Sequence, residues 1–325
     1  MEGLCIIRTL MKIHGKIGRF SAVVLVYAGI SCLVLANNGD KKIRFVTTVY
    51  PLTEFCQAVC GDKGVVVQLI PSGAEAHSWH PSPGDIRMLW ETDIVVYISS
   101  LMEPDIHKVV SGLDMKKTRI IQADPIQESD NHHQNHKVGH GGEEKEHFHS
   151  YDPHVWLDFK RDGELIDRIV DVLREMSPGD GEYFRNNAAD YKEQLRTLDQ
   201  QFREELVQCP LKKFYVGGHA AFGYFARNYD LEQVALYGIS PDALPTPRRY
   251  AEIIELAKND DIDVVFFEYA VGEKLAKSLA EEIGAEALVL NPGATRTREQ
   301  EKMGITFLDI MRKNLENLKY GLGCR

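Results

Sequence analysis

Basic charge is in short supply: 38 lysines and arginines face 48 aspartates and glutamates, a formal net charge of -10. A protein that grips nucleic acid by neutralising phosphates needs a basic footprint, so no nucleic-acid partner is expected. Cysteine is scarce as well, and six in 325 residues are too few for a disulfide scaffold. No HExxH helix occurs, so the familiar zinc-protease signature is missing. Long apolar runs are limited to one, Phe20–Ala36, preceded by Lys12, Lys16 and Arg19 and followed by Asn37-Asn38-Gly39-Asp40.

That run has the make-up of a secretory signal peptide spanning 1–36, with Val34 and Ala36 as the small residues before cleavage and Met11 as an alternative start. Seventeen apolar residues also approach the length of a membrane anchor, and Cys32 stands in a poor context for lipid attachment. Removal of 1–36 takes four basic residues and one acidic residue, leaving a charge of -13 in an extracytoplasmic chain. Cys56, Cys60, Cys209 and Cys324 would then remain. The first two, four apart on a helix, bond only with strain; the last two could tie the chain end to a second lobe.

A hydrophobic fraction of 44% excludes wholesale disorder, and the length allows one large domain or two ordinary ones. From Ile43 onward, strand and helix patterns alternate. IRFVTTVY, VVVQLIP, DIVVYIS and RIIQAD read as strands, and LTEFCQAVCG and PGDIRMLWE as helices, the latter with Ile86, Leu89 and Trp90 on one face. The alternation predicts an α/β fold of two similar lobes, each with a mainly parallel sheet flanked by helices. Residues 161–176 and 179–209 read as helix, and the second stretch, about 45 Å long at ~1.5 Å per residue, is too long for one lobe. It is expected to be a strut. The resulting division is 37–165 for an N-terminal lobe, 166–209 for a helical connector and 210–325 for a C-terminal lobe. In the last, FYVGG, LEQVALYG, DVVFFEY and ALVLNP are strands, and 247–259, 271–283 and 299–319 are helices.

Histidine is what the sequence has in an unusual place. Six of the twelve lie in the apolar-poor stretch 127–149: His132, His133, His136, His140, His147 and His149, mixed with glutamates and read as a mobile loop that gathers metal weakly. His77, His154 and His219 stand instead at junctions between strand and helix patterns. Any one of them could be a capping or hydrogen-bonded surface histidine; three at similar junctions suggest metal ligands, and imidazole suits zinc. Glu268, at the end of DVVFF, is the preferred fourth ligand, with Glu75 or water as alternatives. His80 and His107 remain unassigned.

The motifs TTVYPLTEF, PSGAEAHSWHPSP, DPHVWLD, GGHAAFGYFARNYDL, GISPDALPTPRRYAEII and DVVFFEYAVGEKLAKSLAEEIGA follow one another in an order and spacing that resembles a known family: the zinc- and manganese-specific solute-binding proteins of bacterial and archaeal ABC importers. The resemblance covers nearly all of the chain after the leader. It implies two α/β lobes joined by one long helix, with metal held between them by His77, His154 and His219. A histidine at the third position favours Zn2+ over Mn2+. In many members an aspartate after the last strand completes the site, where this chain offers Asn291; Ala76 replaces a common proline. Implied partners are a membrane permease and an ATPase, with the chain a monomer and not an enzyme. Two further readings differ in class: a secreted zinc hydrolase using Glu75 or Glu268 as general base, and an adhesin in which zinc is structural.

Overall fold

The computed structural model describes residues 42–124, 152–239, 245–269 and 273–324. The leader expected at 1–36 and the histidine-rich stretch 127–149 lie outside these residues.

Two four-stranded parallel sheets organise the fold. The first contains β1 (Ile43–Thr47), β2 (Gly64–Gln68), β3 (Ile94–Tyr97) and β4 (Arg119–Gln122), in the order β2-β1-β3-β4. The second contains β5 (Lys213–Val216), β6 (Glu232–Ala235), β7 (Val264–Phe267) and β8 (Glu286–Val289), in the order β6-β5-β7-β8. The two orders are the same relative to chain direction, and registers such as Ile43↔Gly64 and Lys213↔Glu232 show the same first pairing. The two halves therefore repeat one topology. All four residues of β3 and of β7 are buried, as expected where helices cover both faces of a parallel sheet.

The first sheet is flanked by α1 (Tyr50–Cys60), α2 (Pro83–Glu91) and α3 (Pro104–Ser111). Proline in the first turn starts each of them, and in α2 the Ser82 hydroxyl and the Asp85 carboxylate close a capping box. Trp90 departs from expectation. Leu89 alone is buried in α2, whereas Trp90 is 57% exposed. Helix α3 was not anticipated; Pro104 followed by Ile106 and Val110, four apart and buried, was its signal.

Two long helices follow, α4 (Phe159–Met176) and α5 (Gly181–Leu206). On α5 the buried residues Phe184, Ala188, Tyr191, Leu195, Leu198, Phe202 and Leu206 recur every three or four positions, forming one apolar stripe. Near its start Tyr183 and Asn187 bond to Asp62 and to the Val59 carbonyl, beside the first sheet. Near its end Asp199 accepts from Tyr229 and Arg203 donates to the Asn228 carbonyl, beside the second.

The second sheet carries α6 (Gly223–Asn228), α7 (Pro247–Asn259) and α8 (Glu273–Ile283). The single helix expected over 299–319 is two: α9 (Arg298–Lys302) and α10 (Phe307–Gly321). Gly304 takes φ +68 between them, and each helix has its own capping box, Thr297 with Gln300 and Thr306 with Asp309. Cys209 and Cys324 form a disulfide across 115 residues of sequence, while Cys56 and Cys60 are free and buried inside α1. Among the described residues no helix is long and apolar enough to cross a membrane.

Candidate metal centre

Parallel α/β sheets present their sites beyond the carboxyl ends of the strands, at the point where neighbouring connections diverge. In the second sheet that point lies between β5 and β7, and the chain leaving them carries His219 and Glu268. A Gly-Gly pair leads to His219. Gly217 is required by close approach: a Cβ there would lie 2.3 Å from the Ala276 Cβ and 2.5 Å from its Cα in α8. The Gly217 N–H then bonds the Phe266 carbonyl and the Ala220 N–H the Gly238 carbonyl, so His219 hangs from a pinned loop.

His77 comes from the long connection between β2 and α2. Its backbone N–H donates to Glu75 Oε1 at 3.1 Å, and Thr295 from the second half donates to the Ala74 carbonyl in the same loop. His154 directly precedes a single 3-10 turn (Val155–Leu157) that leads into α4. Trp156 in that turn is buried and donates its indole N–H to the Pro292 carbonyl at 2.7 Å.

The fold brings the three histidines together. His77 Nε2 lies 3.2 Å from His154 Nε2, which lies 3.1 Å from His219 Nε2. Among the described residues these three form the one group of histidine, cysteine or carboxylate side chains whose ligand atoms all fall within 4.8 Å of one another. They border a cavity of about 110 Å³, closed on other sides by Glu75, Tyr269, Asn291 and Arg296. Arg296 also stacks on the Tyr50 ring at 3.8 Å.

The second nitrogen of two rings meets a carboxylate. His154 Nδ1 is 2.8 Å from Asp152 Oδ1, and His219 Nδ1 is 2.8 Å from Glu268 Oε1, though off the ideal hydrogen-bond line. A carboxylate on Nδ1 fixes the tautomer that leaves the Nε2 lone pair free. One oxygen of Glu268 thus stands on the nitrogen of His219 that faces away from the cluster, and the residue also lines the cavity. Burial first, and then the neighbouring imidazoles, push His77 down to about 3, so its ring is neutral at any physiological pH. Burial also lowers His154, against the opposing pull of Asp152. For His219 burial works in the same sense, but the charge and contact of Glu268 outweigh it and raise the ring above the usual histidine value. Burial raises the Glu75 carboxyl, an effect tempered by the His77 N–H.

Other candidates lie elsewhere. His80 is exposed and paired with Asp105 at 2.8 Å, and His107 Nδ1 meets the Tyr97 hydroxyl at 3.0 Å. Asn291 Oδ1 accepts from the Gly293 N–H, so this carbonyl is committed to a turn at the cavity wall. Sequence reasoning missed the role of Asp152; its only signal was a carboxylate two residues before a candidate ligand.

Two parallel α/β lobes bring together three imidazoles, two of them buried, in a group that could hold one metal ion. Comparison with known proteins gives the particular family. Residues 45–321 match the model of zinc-uptake complex component A, periplasmic, and the chain belongs to that family. It is 39% identical over 292 residues to the zinc-binding lipoprotein AdcA of Streptococcus pneumoniae, covering 88% of this chain and 58% of that relative's length. With the high-affinity zinc uptake system protein ZnuA of Bacillus subtilis it shares 35% identity, covering 88% of this chain and 90% of the relative. The crystal structure of the Zn(II)-bound ZnuA-like domain of S. pneumoniae AdcA superposes with a TM-score of 0.72 at 36% identity, over 87% of this chain and 99% of that one. The family is a binding component of uptake complexes and not an enzyme.

Proposed function

We propose that this protein captures Zn2+ outside the cytoplasmic membrane and delivers it to the permease and ATPase of an ABC importer. The observation that carries the reading is the Nε2 triangle: separations of 3.1 and 3.2 Å are close to the ~3.3 Å that bonds of ~2.05 Å subtend at a tetrahedral centre. His77, His154 and His219 would each bind through Nε2. Glu75 or water would take the fourth place, and Glu268 would act from behind His219. Three imidazoles favour Zn2+ over the harder, oxygen-preferring Mn2+. The histidines of the polar stretch 127–149, His132, His133, His136, His140, His147 and His149, would gather zinc weakly. The division into a lobe to 165, a connector over 166–209 and a lobe from 210, acting as a monomer, completes the proposal.

Isothermal titration tests it. His77→Ala, His154→Ala and His219→Ala should each weaken zinc binding by more than the ~10–100-fold that loss of an outer partner costs. Unchanged affinity in all three would overturn the site. Deleting 127–149 should remove weak additional binding and leave one tight site.

A further inference from the structure

Asp152 makes more contacts than its place beside a ligand requires. Its Oδ1 accepts from the His154 backbone N–H at 3.1 Å and lies 2.8 Å from His154 Nδ1, so one oxygen holds both the start and the tip of the residue. The other oxygen, Oδ2, lies against the start of α6, on the far side of the cleft in sequence. A Cβ at Gly223 would sit 2.4 Å from Asp152 Oδ2 and 3.4 Å from Arg227 Nη1. The clash is with Asp152, whose side chain is 13% exposed and tied to His154 through Oδ1, whereas Arg227 is exposed and at ordinary contact distance. Tyr224, the next residue, has the guanidinium groups of Arg161 and Arg227 over its ring, at 4.7 and 4.6 Å. Arg161 is itself held by Asp124.

We propose that Asp152 is the positioning residue for the His154 ring, and that Gly223, by having no side chain, keeps open the space its carboxylate needs. Any larger residue at 223 would push Oδ2 back and turn Oδ1 off the His154 Nδ1–H. A helix of the second lobe thereby sets the aim of an imidazole supplied by the chain before α4. This rests on the zinc-receptor reading above and adds two residues to it, neither of which touches the ion.

The test measures zinc affinity by competition with a chromogenic chelator, on the full chain, for wild type, Asp152→Ala, Asp152→Asn, Gly223→Ala and the D152A/G223A pair. Visible absorption of the cobalt-substituted forms reports ligand geometry, and melting of the metal-free forms reports the fold. Asp152→Ala and Gly223→Ala should each lose ~10–100-fold in affinity and change the cobalt spectrum. Asp152→Asn, which keeps an acceptor oxygen, should restore most of both. The double variant should bind no worse than Asp152→Ala, since the carboxylate that Gly223→Ala displaces is already gone. Affinity in Asp152→Ala within about threefold of wild type would overturn the positioning role, and additive losses in the pair would overturn the part given to Gly223. Should Gly223→Ala fail to fold, Asp152→Ala and Asp152→Asn still decide the role of the carboxylate. Failure of the wild type to bind zinc would instead overturn the receptor reading.

Discussion

A neutral imidazole binds a cation and a protonated one repels it, so the three site histidines differ in what they do as pH changes. His77, held near 3 by burial and its neighbours, gives up no proton when metal arrives. Burial works against the His219 cation, but Glu268 outweighs it and raises the ring, and burial raises Glu75, so these two are the site groups that take up protons first as pH falls. Binding should therefore release protons, and affinity should fall about tenfold per pH unit for each proton released once pH drops below the raised His219 value. Titration at pH 8 and pH 5.5, in buffers of different ionisation enthalpy, checks this; equal affinity at both would show that no ring is protonated before binding. The candidate ligands could be found from sequence because histidine type and junction position are both visible there. Which nitrogen of His219 the Glu268 carboxylate faces is not legible there, because a strand-end carboxylate can face either one, and only the path of the loop after β5 decides which.

At the scale of elements, strands were the easiest to read, since short β-branched runs between glycines and prolines leave little choice. Helix ends were harder. The division of 298–321 into α9 and α10 depends on two local capping boxes and on a glycine at positive φ, signals that periodicity overlooks. Close approach between elements is likewise unreadable before the elements are packed. Gly217 shows why: its φ is ordinary, and its need for glycine comes entirely from the α8 backbone at Ala276. Gly217→Ala should cost about 1–3 kcal/mol, the range for overpacking a rigid contact, and should weaken zinc binding through the loop that carries His219. Urea unfolding of the metal-free variant measures the first effect; wild-type stability would mean that α8 shifts freely.

For the whole molecule, buried side-chain contacts tie the two sheet-bearing halves together. Glu54 in α1 accepts from the Tyr50 hydroxyl, from Tyr191 of α5 at 2.7 Å and from the Phe307 N–H of α10 at 2.6 Å, so one buried carboxylate meets both sheet-bearing halves and α5. The disulfide from Cys209 to Cys324 then fastens the end of α10 to the end of α5. Closing so long a loop restricts the unfolded chain, and Cys324→Ser should lower stability by roughly 3–5 kcal/mol. A midpoint of thermal unfolding unmoved by the substitution or by reductant would show that α10 is held by packing alone. Residue type and order determined the α/β class, the doubled architecture and the three histidines, because periodicity and local chemistry are properties of neighbours in sequence. The tertiary structure alone decided which carboxylate backs which imidazole, which cysteines pair and why Gly217 and Gly223 carry no side chain. Each of those depends on distances between residues tens to hundreds of positions apart, which are set only when the two sheets and the long helices pack.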